Sequence, residues 1–158
     1  VSGSTSPAGP ADVHVDVDDR QQAHEINTEH LVKVLTDTLT SQHGQVETEV
    51  GLAFVPANEM AELNRDYMGG SGPTDVLAFP IDGVDSSRVV PEGQPAMLGD
   101  IVICPEVADE APQLLADELA LLVVHGALHL LGHDHAEPHE TALMKTLEVE
   151  MLARFHQS

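Results

Sequence analysis

Residues 117–135 read DELALLVVHGALHLLGHDH. From Leu119 to Leu131 every position except His125 and His129 is apolar or glycine. A segment that is apolar nearly all round predicts a buried helix, here over Asp117 to Leu131. His125 and His129 are four residues apart, so their rings leave the same face one turn apart. Two imidazoles placed in that way converge on one metal ion. Gly132 is the natural residue to end such a helix, because it takes the left-handed conformation without strain and reverses the chain. A ligand just past the reversal can fold back, and His135 has that reach. Three neutral nitrogens leave one position open on a tetrahedral zinc, the pattern of a catalytic ion. A competing geometry puts His125, His129 and His133 on one face of a helix that runs on; Gly132 argues against it and favours His135. His133 and Asp134 are then candidates to brace the ligands from behind.

Position 126 excludes one chemistry. Zinc peptidases of the His-Glu-x-x-His kind carry their general base directly after the first histidine. Here that residue is Gly126. A bound metal would still lower the pKa of its water to about 7.

Working outward, Glu137 to Phe155 predicts an amphipathic helix with Leu143, Leu147, Met151 and Phe155 along one face. On the other side, Pro105 starts a helical stretch, and Leu98–Cys104 (LGDIVIC) reads as a strand. Residues 82–97 have turn composition throughout, and a loop of that length is usually mobile or functional. Asp75–Pro80 (DVLAFP) is a short strand. Pro56 opens a helix through Met60, Leu63 and Tyr67, closed by Gly69-Gly70. Placed at 100° per residue, Met60, Leu63 and Tyr67 form its buried stripe, with Met68 at the flank. The stretch from Gln45 to Val55 alternates as a strand does. A helix capped by Asn27 or Thr28 carries Leu31, Val34, Leu35 and Leu39. Residues 11–19 alternate Val13, Val15 and Val17 with polar partners, the period of a half-buried strand. Residues 1–10 (VSGSTSPAGP) predict a disordered leader. Residues 11–158 form one domain, with no internal repeat. Strands and helices without regular βαβ alternation predict an α+β fold, a small mixed sheet packed with helices.

Composition narrows the chemistry. Six Lys and Arg stand against 27 Asp and Glu, a formal charge of −21. That field repels nucleic acid and anionic membranes at long range, so a phosphate partner needs a local cation or a metal. Cys104 is the one cysteine, which excludes an internal disulfide and a thiolate metal cage. No run is long and apolar enough for a bilayer, and a basic-plus-apolar leader pattern is absent from the N-terminus. A cytoplasmic protein is expected.

The block His125-Gly-Ala-Leu-His-Leu-Leu-Gly-His-Asp-His135 resembles the zinc-binding stretch of the YbeY-type endoribonucleases, bacterial rRNA maturation factors. Two further blocks carry the resemblance. One is Leu63-Asn64 and Tyr67 with Pro73-Thr-Asp-Val-Leu-Ala-Phe-Pro80; the other is Leu98-Gly99-Asp100-Ile101 with Ile103-Cys104. The resemblance runs from about residue 11 to 155. It implies an α+β fold and one Zn2+ per chain on His125, His129 and His135. It also implies cleavage of single-stranded RNA in rRNA maturation and ribosome quality control. The partners implied are rRNA and a ribosomal subunit, engaged directly or through another protein, without a membrane. A reading from another class is a zinc-stabilised ribosome-assembly factor that binds without cutting.

One position departs from the family pattern, which often carries Arg after the Tyr: here it is Met68. Arg65, three residues earlier, reads as a solvated surface residue beside Asp66, with replacement of that cation as its alternative role. Thr74 and Asp75 suit turn chemistry, and the resemblance adds a place for them in a substrate cleft. Asp100, in a strand of Ile and Val, is expected to need a backbone or Thr partner. Cys104 reads as a small buried apolar residue, and His139 as solvated.

Overall fold

A computed structural model describes residues 13–43, 47–81, 96–133 and 137–156. The leader at 1–10, most of the 82–97 loop, and Asp134 and His135 lie outside the described residues. The alternating segments form four strands: β1 (Val13–Asp19), β2 (Thr48–Phe54), β3 (Val76–Pro80) and β4 (Ala96–Ile103). The helical segments form α1 (Thr28–His43), α2 (Ala57–Leu63), a short α3 (Pro105–Ala108), α4 (Leu115–Leu130) and α5 (Pro138–Phe155). Sheet order is β1-β2-β4-β3, with β1, β2 and β4 parallel and β3 antiparallel to β4. The fold is α+β, as the patterning predicts. No helix among the described residues is long and apolar enough to cross a membrane.

Alternation decides which face of the sheet is covered. Thr48, Val50, Leu52 and Phe54 of β2 are buried, while the residues between them are not. Val50, Leu52 and Phe54 meet Val34 and Leu35 of α1, Val123, Val124 and Leu128 of α4, and Met144 and Met151 of α5 in the main core. A smaller cluster on Val55, Met60, Leu77, Val102 and Cys104 includes Met60 of α2. Burial pushes the Cys104 thiol above its ordinary range. Asn27 caps α1 through its side-chain oxygen, which accepts from the His30 N–H at 3.1 Å.

The β2–β4 register slips between Glu49 and Val50, which pair with Met97 and Gly99, so Leu98 is extra on β4. Gly99 follows the bulge at φ 131°, where a Cβ would run into the Phe79 carbonyl oxygen of β3. Gly99→Ala should therefore cost about 3 kcal/mol from backbone strain and collision together. Urea unfolding would show this as a lower midpoint, and an unchanged midpoint would contradict it.

Four expectations are corrected. Tyr67 is 68% exposed rather than buried. The helix widens into a π turn over Asn64–Met68, which rotates the side chains out of the 100° projection. The Tyr67 ring packs edge-on against Phe79, with centroids 5.4 Å apart. Leu143 is exposed, and Met144 takes its place in the core. Residues four apart drift about 40° per step, so Leu143 and Phe155 cannot share a narrow face. Asp100 is exposed rather than enclosed, in a row with Asp16 and Gly51, on the sheet face whose other end carries Val102 and the smaller cluster. Ala96 and Met97, expected in the loop, belong to β4.

Candidate metal centre

Helix α4 stops where Gly132 predicts. The Gly132 N–H donates to the His129 carbonyl at 3.0 Å, and the His133 N–H donates to the Leu128 carbonyl at 3.0 Å. With Gly132 at φ 98°, these two bonds make a Schellman turn. The helix therefore does not continue to His133, and the continuous-face alignment of His125, His129 and His133 does not form. The half-buried His133 stands in the turn itself.

His125 and His129 come together on α4. Their Nε2 atoms lie 3.1 Å apart, with ring centroids at 4.6 Å. His125 Nδ1 lies 2.6 Å from Glu148 Oε2 on α5, a carboxylate whose side chain is 13% exposed. An ionised carboxylate only accepts, so the nitrogen facing Glu148, Nδ1, is the one that carries a proton, and a ring with that single proton turns its Nε2 lone pair toward His129. Nitrogens on one tetrahedral zinc, at about 2.0 Å from it, stand about 3.3 Å apart. The pair is within a few tenths of an ångström of that spacing, and both donors suit zinc. Two of the three expected ligands thus fit the ion; His135 is outside the described residues.

Gly126 explains the missing peptidase base. A Cβ built there would come 2.7 Å from Ile101 Cγ2 of β4. The position next to His125 is where α4 touches the sheet, with no room for a carboxylate.

Glu148 escaped the sequence reading. Its signal is positional: it lies four residues after Met144 and three before Met151, both buried, so it shares the apolar stripe of α5. A carboxylate that orients a ligand typically changes metal affinity 10–100-fold. Glu148→Ala should weaken zinc binding by that factor in a chelator competition, with Glu148→Gln losing less. Equal affinity in all three proteins would remove Glu148 from the site.

The other candidates lie as follows. Arg65 is exposed and its Nε donates to Asp66 at 3.0 Å. Thr74 Oγ1 stands 3.5 Å from Asp75 Oδ1, and the Asp75 carbonyl accepts from the Cys104 N–H at 2.9 Å. These contacts are turn chemistry that stitches β3 to the end of β4. Glu137, His139 and Glu140, at the start of α5, place ligand atoms within 4.8 Å of one another and could hold an ion. His139 is solvated, with its side chain 78% exposed.

A mixed four-stranded sheet, with a His-x-x-x-His pair on the buried helix against it, defines the class as an α+β domain built around a histidine site. The family model described as Endoribonuclease YbeY matches residues 16–156, and the chain belongs to that family. Among its relatives is the Endoribonuclease YbeY of Salinispora tropica, 43% identical over 143 residues, 85% of this chain and 91% of the relative. The protein of that name from Corynebacterium efficiens is 41% identical over 138 residues, 83% of this chain and 69% of its own. A Thermotoga maritima protein solved in solution shares the fold, with a TM-score of 0.54 at 24% identity, covering 90% of this chain and 91% of that one.

Proposed function

We propose that the chain is a zinc-dependent endoribonuclease that cuts single-stranded RNA during rRNA maturation and ribosome quality control in the cytoplasm. The observation that carries this reading is the His125–His129 pair, braced by Glu148, in a chain of the Endoribonuclease YbeY family. His125, His129 and His135 would hold one zinc. When bound, zinc supplies an acidified water and positive charge against a phosphate.

The chain's own residues do the rest. Glu148 fixes the His125 tautomer, and the turn at Gly132 ends α4 just after His129. The net charge of −21 opposes free RNA, since phosphate contacts supply most non-specific affinity. Docking therefore rests on a ribosomal subunit or a protein partner. Zinc-loaded protein should cut single-stranded rRNA fragments and chelated protein should not, with zinc restoring turnover.

A second reading, an assembly factor that binds without cutting, is favoured by the absence of a cation at Met68 and by the pairing of Arg65 with Asp66. No turnover by zinc-loaded protein would favour it. An exposed pair of this kind is worth about 0–1 kcal/mol, so Arg65 can leave Asp66 for a phosphate. Arg65→Ala should lower cleavage about tenfold, and Met68→Arg should raise it by a similar factor with zinc content unchanged. Cleavage rates unmoved by either change would leave the metal, or a partner's cation, to meet the phosphate.

A further inference from the structure

A second pair of histidines meets away from the C-terminal end of α4. His30 Nε2, in the first turn of α1, lies 2.8 Å from Nδ1 of His156, the residue that caps α5. His156 Nε2 lies 2.8 Å from Asp117 Oδ1, in the first turn of α4. The His156 side chain is 14% exposed, and the two rings stand 5.1 Å apart at a tilt of 50°. An ionised Asp117 only accepts, so the nitrogen facing it, Nε2, carries a proton, and a His156 ring with that single proton turns a lone pair on Nδ1 toward His30. This repeats Glu148–His125–His129: a carboxylate behind one imidazole and a second imidazole facing its other nitrogen. Three of the charges on the same helices are engaged elsewhere, while Glu29 stands beside His30 in the first turn of α1. Glu118 accepts from Gln113 at 2.7 Å, Lys33 pairs with Asp37 at 2.8 Å, and Arg154 lies over the Phe155 ring and donates to Ser41.

We propose that His30 and His156 form a second, weaker transition-metal site, with Asp117 setting the His156 tautomer. Opening the pair from 2.8 Å to the roughly 3.3 Å of two nitrogens on zinc takes only side-chain torsions. Two imidazoles and water bind more weakly than three imidazoles. The ion would join the start of α1 to the end of α5, elements 126 residues apart in sequence at this contact, and would stabilise the fold by mass action. The proposal is independent of the RNA-cleavage reading.

The test is a zinc titration of the full chain, read by bound zinc per chain and by melting temperature. Wild type should take up a second equivalent with a rise in melting temperature. His30→Gln and His156→Gln, which keep polar groups at the contact, should take up only the first. Asp117→Asn should need 10–100-fold more zinc for the second. His139→Ala should behave as wild type, separating this site from the Glu137–His139–Glu140 cluster. A wild-type chain that saturates at one equivalent would overturn the proposal. So would a second ion retained by both Gln variants or lost in His139→Ala.

Discussion

Gly126→Glu, which completes a His-Glu-x-x-His motif, is expected to leave the protein largely unfolded rather than make it a peptidase. The new side chain would point at Ile101, where even a Cβ stands 2.7 Å from Cγ2. Overpacking of this kind costs about 1–3 kcal/mol, and an unpaired carboxylate in the same place adds several more. Domains of this kind hold about 5–15 kcal/mol in all. Gly126→Ala separates the two costs: it meets the collision but recovers about 1 kcal/mol of helix propensity, so it should fold with a slightly lower midpoint. Circular dichroism of both variants checks the argument. A folded Gly126→Glu protein would mean that α4 does not pack on β4 through this glycine.

Zinc content is expected to divide the four clustered histidines three to one. After dialysis against metal-free buffer, which empties a two-histidine site before a three-histidine one, wild type should keep one zinc per chain. His125→Ala, His129→Ala and His135→Ala should each keep almost none, because two remaining imidazoles bind too weakly. His133→Ala should keep its zinc, since the Schellman turn takes His133 off the helix face. Elemental analysis reads the result. Zinc lost in His133→Ala but kept in His135→Ala would reverse the assignment.

What the sequence showed, and what it hid, follows from the range over which each signal acts. Helix α4, its end at Gly132 and the His125–His129 face are local patterns of three to seven residues, and all three are present. The strands were visible because alternation survives wherever one face is covered, as in β2. The π turn at Asn64–Met68 was not visible: one widened turn leaves composition unchanged and displaces Tyr67 from the face assigned to it. Leu143 was misplaced because a spacing of four drifts from a period of 3.6. Glu148 looks like any helical carboxylate until α5 packs beside α4. The His30–His156–Asp117 chain joins residues that are 39 and 126 positions apart in sequence and has no local signature. The exposure of Asp100 was hidden because apolar neighbours along a strand do not reveal how far the cover on a face extends.

Whether the histidine site on α4 performs RNA cleavage is decided by comparing two proteins. Wild type and His129→Ala are given the same single-stranded rRNA fragment in the same zinc buffer, and initial cleavage rates are measured. His129→Ala should lose about 100-fold or more in rate, equivalent to roughly 2.7 kcal/mol of transition-state stabilisation, with the variant still folded. Equal rates for the two proteins would show that the site does not perform the cleavage.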